Sequence, residues 1–185
     1  MFRPDDDDPM RDRPLAKRWR LKDPAALEQL ADRQLAPPVR AEALQFLIQF
    51  VGDLHQPLHA ADNGDRGGNE VRVSIGRRQI NLHAVWDTTL VQSLGKDATT
   101  VADDLIARIT ATDRTKWQTG DAANWANETW RVARVEIYAK IPGSGGTLAP
   151  VIMPTNCPSS ELATVSVQLE KAGVRLGWVL NAALR

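Results

Sequence analysis

The stretch FLIQFVGDLHQPLHAADNGDRGGNEVRV, residues 46–73, followed after a short gap by NLHAVWD, residues 81–87, decides the fold. Its first third closes a helix that the pattern places at about 38–54. Leu44, Leu47, Ile48, Val51 and Leu54 share one face, and Phe46 and Phe50 occupy another. A helix apolar on most sides is expected to be buried. Asp53 lies at its end, and a buried carboxylate needs a partner, since an unpaired charge is costly to desolvate. Pro57 then stops regular helix, because it has no N–H to donate and pushes Gln56 out of the α region. Residues 62–69, DNGDRGGN, read as a glycine-rich loop that matches neither a P-loop nor a dinucleotide fingerprint. Val71, Val73 and Ile75 alternate, Gly76-Arg77-Arg78 turns, and Ile80 and Leu82 alternate again, which predicts a short β-hairpin. His83 to Leu94 reads as helix, ended by Gly95.

Outward from that stretch the chain is helical. Asp23 before Pro24 is a helix start, and the helix runs to Leu35 before Pro37-Pro38. Thr100 to Thr112 carries Val101, Leu105, Ile106 and Ile109 on one face. Asp121 caps a long helix through Lys140, which stops before Pro142. Residues 143–158 read as loop, and Ser159 or Ser160 caps a last helix running to about Leu184. The fold class expected is mainly α, a multi-helix domain over 23–185 with one short β-hairpin. Residues 1–22, with Asp5–Asp8, several arginines and three prolines, read as a disordered charged lead-in.

Composition narrows the function classes. Over 185 residues the net charge is zero, which argues against a large basic footprint for duplex nucleic acid. A bound metal can still supply positive charge locally. No apolar run is long enough to span a bilayer, and the start of the chain has no apolar signal-peptide core. Cys157 is the single cysteine, so no internal disulfide is expected; its proline flanks read as loop.

All three histidines, His55, His59 and His83, fall between the apolar helix and the one after the hairpin. His83 and Asp87, four apart on a helix, share a face, which is one way to build a zinc site with an open position. A plain His–Asp hydrogen bond fits the same spacing. His55 and His59 are also four apart, but with Pro57 between them they are not expected to share a helical face; one can be a ligand while the other packs. For Asp53, metal and a buried arginine or backbone amides are both open. Asn69 can bind substrate or simply close the turn. Trp86, Trp117, Trp125, Trp130 and Trp178 can stack bases or fill the core, and the core fits Trp125 and Trp130 better.

These strings, together with WANETW (125–130), VEIYAKIPG (135–143) and QLEKAGVRLGWVLN (168–181), resemble the zinc-dependent single-strand-specific nucleases: the fungal nucleases S-one and P-one, the plant bifunctional nucleases and their bacterial relatives, in one superfamily with zinc phospholipases C. The resemblance runs from about residue 24 to the end and is poor over 144–160. It implies a helical fold with a three-zinc cleft that cleaves phosphodiester bonds of single-stranded DNA and RNA, and in many members removes 3′-phosphates from nucleotides. By resemblance, Asp53 is the aspartate shared by two paired zincs. His59, His83 and Asp87 hold the third, more accessible zinc. Asn69 lies beside the scissile phosphate, and His55 is not a ligand.

The resemblance also sets out departures. The family's opening tryptophan, and a further segment supplying histidines and aspartates to the paired zincs, have no counterpart here, so the chain reads as N-terminally truncated. The histidine four residues before the shared aspartate is here Gln49, a poorer zinc ligand than imidazole. One zinc site is therefore expected to be complete, no catalytic residue is retained with certainty, and hydrolysis is expected to be feeble. A non-catalytic zinc and nucleotide binding module, a non-functional gene fragment and a phospholipase C relative are the other readings; Asp87 and the GGN loop lean to the nuclease branch. The expected partners are single-stranded DNA, RNA or nucleotides, with no membrane and a monomeric state. Family members are secreted or periplasmic; a chain made as written would stay in the cytoplasm.

Overall fold

Pro37 and Pro38 open the helix on which the site is built. Proline's fixed φ suits a first helical turn, where its missing N–H has no partner to lose, and α2 runs over Pro37–Leu54. The computed structural model describes residues 24–141, 151–154 and 159–185. The expectations for the lead-in 1–22, for Asp23 and for Cys157 lie outside these. Helix α1 (Pro24–Ala31) precedes α2. It ends earlier than Leu35 because the Asp32 carboxylate accepts the Gln34 N–H at 2.8 Å, a local bond that competes with helix.

Helix α2 buries Ala43, Leu47, Val51 and Leu54, a single stripe at helical spacing. The expectation of burial on most sides is corrected here. Phe46 is 47% exposed and Ile48 49%, and Phe46 stacks on Phe50 with centroids 5.9 Å apart. Among the described residues, the partners of α2 are α1, α7, α8 (Ser159–Ala183) and the turn that follows it, and they cover one side only.

The chain then makes a 3-10 turn (Pro57–His59), the loop 60–71, and strands β1 (Arg72–Ile75) and β2 (Arg78–Asn81). The hairpin is antiparallel with Val73 opposite Ile80. A third strand, β3 (Val151–Met153), pairs in parallel with β1, giving the order β2-β1-β3. This corrects the reading of 143–158 as wholly loop. Three residues are too few to show a period, and the open edge of β1 makes them a strand.

Helix α3 (Leu82–Ala84), a π turn (Val85–Thr89) and α4 (Leu90–Leu94) follow as one helical run. The single helix expected over 100–112 is instead two, α5 (Ala98–Arg108) and α6 (Ala111–Trp117). Thr110 breaks it: its hydroxyl accepts the Asp113 N–H, and the Asp113 carboxylate accepts the Thr110 N–H, both at 3.1 Å, a capping box that starts a new helix. Asp121 caps α7 (Ala122–Val132) as expected, and the helical path continues through a π turn to Lys140.

One core joins the hairpin to the helices, with Val71, Val73, Val85 and Leu90 fully enclosed beside Trp86, Ile137 and Tyr138. Trp86, Trp117 and Trp125 are buried, so these three are core rather than base-stacking platforms. A second group centres on Leu54 and Trp125, with Trp178 of α8 tilted against the Trp125 ring.

Beside that group runs a buried polar chain. Arg175 of α8 is 4% exposed and donates to the Trp117 carbonyl, to Glu128 and to His55 Nε2, the last at 2.9 Å. Lys171 also pairs with Glu128. Since Arg175 can only donate, His55 Nε2 accepts, and His55 Nδ1 donates to the Val51 carbonyl at 2.7 Å. This neutral tautomer is locked, and burial holds the His55 imidazole down at about 4.

A pH effect on stability follows. The folded His55 value lies below its unfolded 6.5, so the stabilisation is fully present above pH 6.5 and is lost as pH falls through the folded value. Urea unfolding with a chelator present should lose roughly 3 kcal/mol between about pH 6.5 and pH 4 in addition to the carboxylate contribution. His55→Asn should flatten that window; an unchanged slope would disprove the assignment.

Candidate metal centre

Three segments meet at the site. The turn after α2 carries His59, the loop 60–71 carries Gly67, and the first helical turns after β2 carry His83 and Asp87. Asn81 caps that helical run, its side chain accepting the Ala84 N–H at 2.7 Å, which fixes where His83 enters the helix.

The loop is wound by two aspartates. Asp62 accepts the N–H groups of Gly64, Asp65 and Arg66 at 3.0–3.1 Å. Asp65, 6% exposed, accepts the Gly68 N–H at 2.8 Å and the Tyr138 hydroxyl at 2.9 Å. Burial and the Asp65 charge push the Tyr138 hydroxyl pKa upward, so it stays a donor. The winding takes Gly67 to φ +65°, and a Cβ there would meet the Leu58 carbonyl oxygen at 2.6 Å and that of Ala61 at 3.2 Å. Only glycine fits.

That close approach brings the Gly67 carbonyl within 2.7 Å of His83 Nδ1. A carbonyl only accepts, so Nδ1 carries the proton and Nε2 presents a lone pair. His83 Nε2 lies 3.2 Å from one Asp87 oxygen, and His59 Nε2 lies 3.3 Å from the other. The two imidazoles stack with centroids 5.0 Å apart. The donor atoms of His59, His83 and Asp87 all fall within 4.8 Å of one another. A tetrahedral zinc with ligands at about 2.1 Å needs donor–donor edges of about 3.4 Å. Two imidazoles and a carboxylate at this spacing therefore fit such an ion and leave a fourth position for water or substrate.

Asp53 is not brought into that group. Its carboxylate faces the other ring nitrogen of His59, at 3.6 Å, and its side chain is 38% exposed rather than buried. Gln49 donates to it at 3.3 Å. His55 points away, into the Arg175 chain. Asn69 is exposed at the loop's end, donating to the Arg66 carbonyl at 2.9 Å and accepting from Asn81 at 3.5 Å. Sequence reasoning missed Gln56. Its amide donates to Asp87 at 2.6 Å while its oxygen accepts the Leu58 N–H. The readable signal was its place as the capping residue before Pro57, which fixes the side chain near the turn.

Comparison with known proteins finds its matches among nucleases. The family model described as S1/P1 Nuclease matches residues 23–185. Endonuclease 4 of Arabidopsis thaliana is 34% identical over 154 residues, 76% of this chain and 50% of the relative. Nuclease P1 of Penicillium citrinum is 29% identical over 170 residues, 82% of this chain and 62% of the relative. Nuclease S1 of Aspergillus oryzae is 39% identical over a shorter stretch of 72 residues, 36% of this chain and 25% of the relative. The chain spans about half the length of the curated relatives it matches.

The Gly67 carbonyl makes a prediction that separates positioning from ligation. Gly67→Ala removes no donor atom, yet it should weaken zinc binding by about ten- to a hundredfold, the usual effect of losing a ligand's outer hydrogen bond. Competition against a chromophoric chelator reads this directly. Wild-type affinity in Gly67→Ala, with His83→Ala losing binding, would show that the carbonyl does not set the ring.

Proposed function

The chain belongs to the S1/P1 nuclease family, and from that premise we propose that His59, His83 and Asp87 hold a zinc ion in a site for hydrolysing phosphodiester bonds of single-stranded DNA and RNA. The observation that carries this reading is the convergence of the three donor sets within 4.8 Å. When bound, zinc supplies positive charge to a phosphate oxygen and lowers the pKa of a water to about 7.

The chain's own residues do the rest. The Gly67 carbonyl orients His83 and the Gln56 amide orients Asp87, while the Asp53 carboxylate faces His59 Nδ1 at 3.6 Å, near enough to close on that ring or on a second cation. Two of the three ligands thus have a hydrogen-bonded partner, which limits the reorganisation that accompanies metal binding. Asn69 follows Gly68, against which the His83 backbone packs, and in this reading its exposed amide hydrogen-bonds a phosphate or sugar oxygen. The net charge of zero fits a site whose attraction for nucleic acid is local to the metal.

The same reading makes the activity weak. Among the described residues only one three-donor group forms, and Asp53 is partnered by the Gln49 amide where an imidazole would serve a second cation better. Removing one source of electrostatic stabilisation costs about a hundred- to a thousandfold in rate.

Purified chain loaded with one equivalent of zinc should nick single-stranded DNA slowly, lose this with a chelator or in His59→Ala, and leave phosphatidylcholine intact. Turnover equal to that of Penicillium citrinum nuclease P1 under the same conditions would refute the weak single-site reading. Zinc binding without cleavage would favour a non-catalytic zinc and nucleotide binding module.

A further inference from the structure

On the far side of α8 from the polar chain, an open cleft of about 600 Å³ lies between α4, α5 and α8. No histidine or cysteine lines it. Its walls are apolar, formed chiefly by Val101, Leu105, Ile109, Leu169 and Val174. Ile106, 55% exposed, stands at its edge. Concave apolar surface of this size, with few polar groups, is the usual form of a small-molecule site, and exposed aliphatic side chains gathered around one hollow gain from being covered.

The polar groups decide the ligand's class. Lys96 and Arg114 contribute two cations to the lining, against one carboxyl, Glu170 of α8. Glu170 is 8% exposed, and burial pushes its carboxyl up from the ordinary carboxylate value. Among the lining residues themselves, two cations stand against one carboxyl, which favours an anion. Gly173 adds room: a Cβ built there meets nothing within 4 Å.

We propose that this cleft is a second ligand site, for one free amphiphilic anion whose apolar body lies between α5 and α8 and whose head pairs with Lys96 and Arg114. It stands apart from the zinc site and does not depend on the nuclease reading. Binding requires only the hydrophobic transfer of the body and the charge pairing of the head.

The test uses two dyes on the full chain: 8-anilinonaphthalene-1-sulfonate, and the neutral N-phenyl-1-naphthylamine, which lacks the sulfonate. Both should bind saturably at one site and be displaced by dodecanoate. Gly173→Phe fills the hollow and should weaken both by at least about tenfold, with Tm unchanged or raised because glycine is the poorer helix former, and with zinc affinity unchanged. Lys96→Gln and Arg114→Gln should each weaken the sulfonate dye about two- to fivefold and leave the neutral dye alone. Should Gly173→Phe fail to fold, Ile106→Glu places an anion at an exposed edge and should weaken the sulfonate dye selectively. Non-saturable binding, full affinity in the filled variant, or equal losses for both dyes in the charge variants would overturn the proposal.

Discussion

The hydrogen bond from His83 Nδ1 to the Gly67 carbonyl ties a loop conformation to the protonation pattern of a ring. An imidazole can offer a lone pair from either nitrogen, and free histidine samples both tautomers. Here the carbonyl accepts the proton on one side, so the electron pair faces His59 and Asp87 on the other. The carbonyl is available because residue 67 has no side chain and follows a left-handed path that Asp62 and Asp65 enforce. The hairpin and the hydroxyl of Tyr138 in turn hold those aspartates' loop against the core. The geometry of this donor group thus rests on the backbone as much as on the side chains themselves.

The other half of the site depends on α8. Its Arg175 is buried, and a buried guanidinium is tolerable only when its donors are satisfied. Satisfying them draws together Glu128 of α7, the carbonyl of Trp117 and the ring of His55. His55 then grips the Val51 carbonyl, fixing the last turn of α2, from which Asp53 and the turn bearing His59 emerge. A helix late in the sequence therefore sets the position of residues more than a hundred places earlier, and no local pattern records that dependence.

This explains what could be read beforehand. His83 and Asp87 were legible from spacing, and they face each other even though a π turn begins between them. His59 could be joined to them only through the resemblance, because Pro57 and a wound loop separate it from any periodic face. Asp53 was expected to be buried because its helix is apolar on several sides, yet periodicity tells which residues are apolar and not which side is covered. The break at Thr110 was written in its capping box with Asp113 but was outweighed by a run of aliphatic residues. Strand β3 depends on a neighbour far away in sequence, as short strands usually do.

The exposed side chains of α2 have a colloidal consequence. Phe46 and Ile48 project into solvent from a chain of zero net charge and a pI near 6.8. Long-range repulsion between copies is then at its minimum near neutrality, where the sticky aromatic patch meets no opposing force. Sulfate and phosphate buffers strengthen such contacts, so the chain should salt out most readily around neutral pH and keep longest in dilute, mildly alkaline solution.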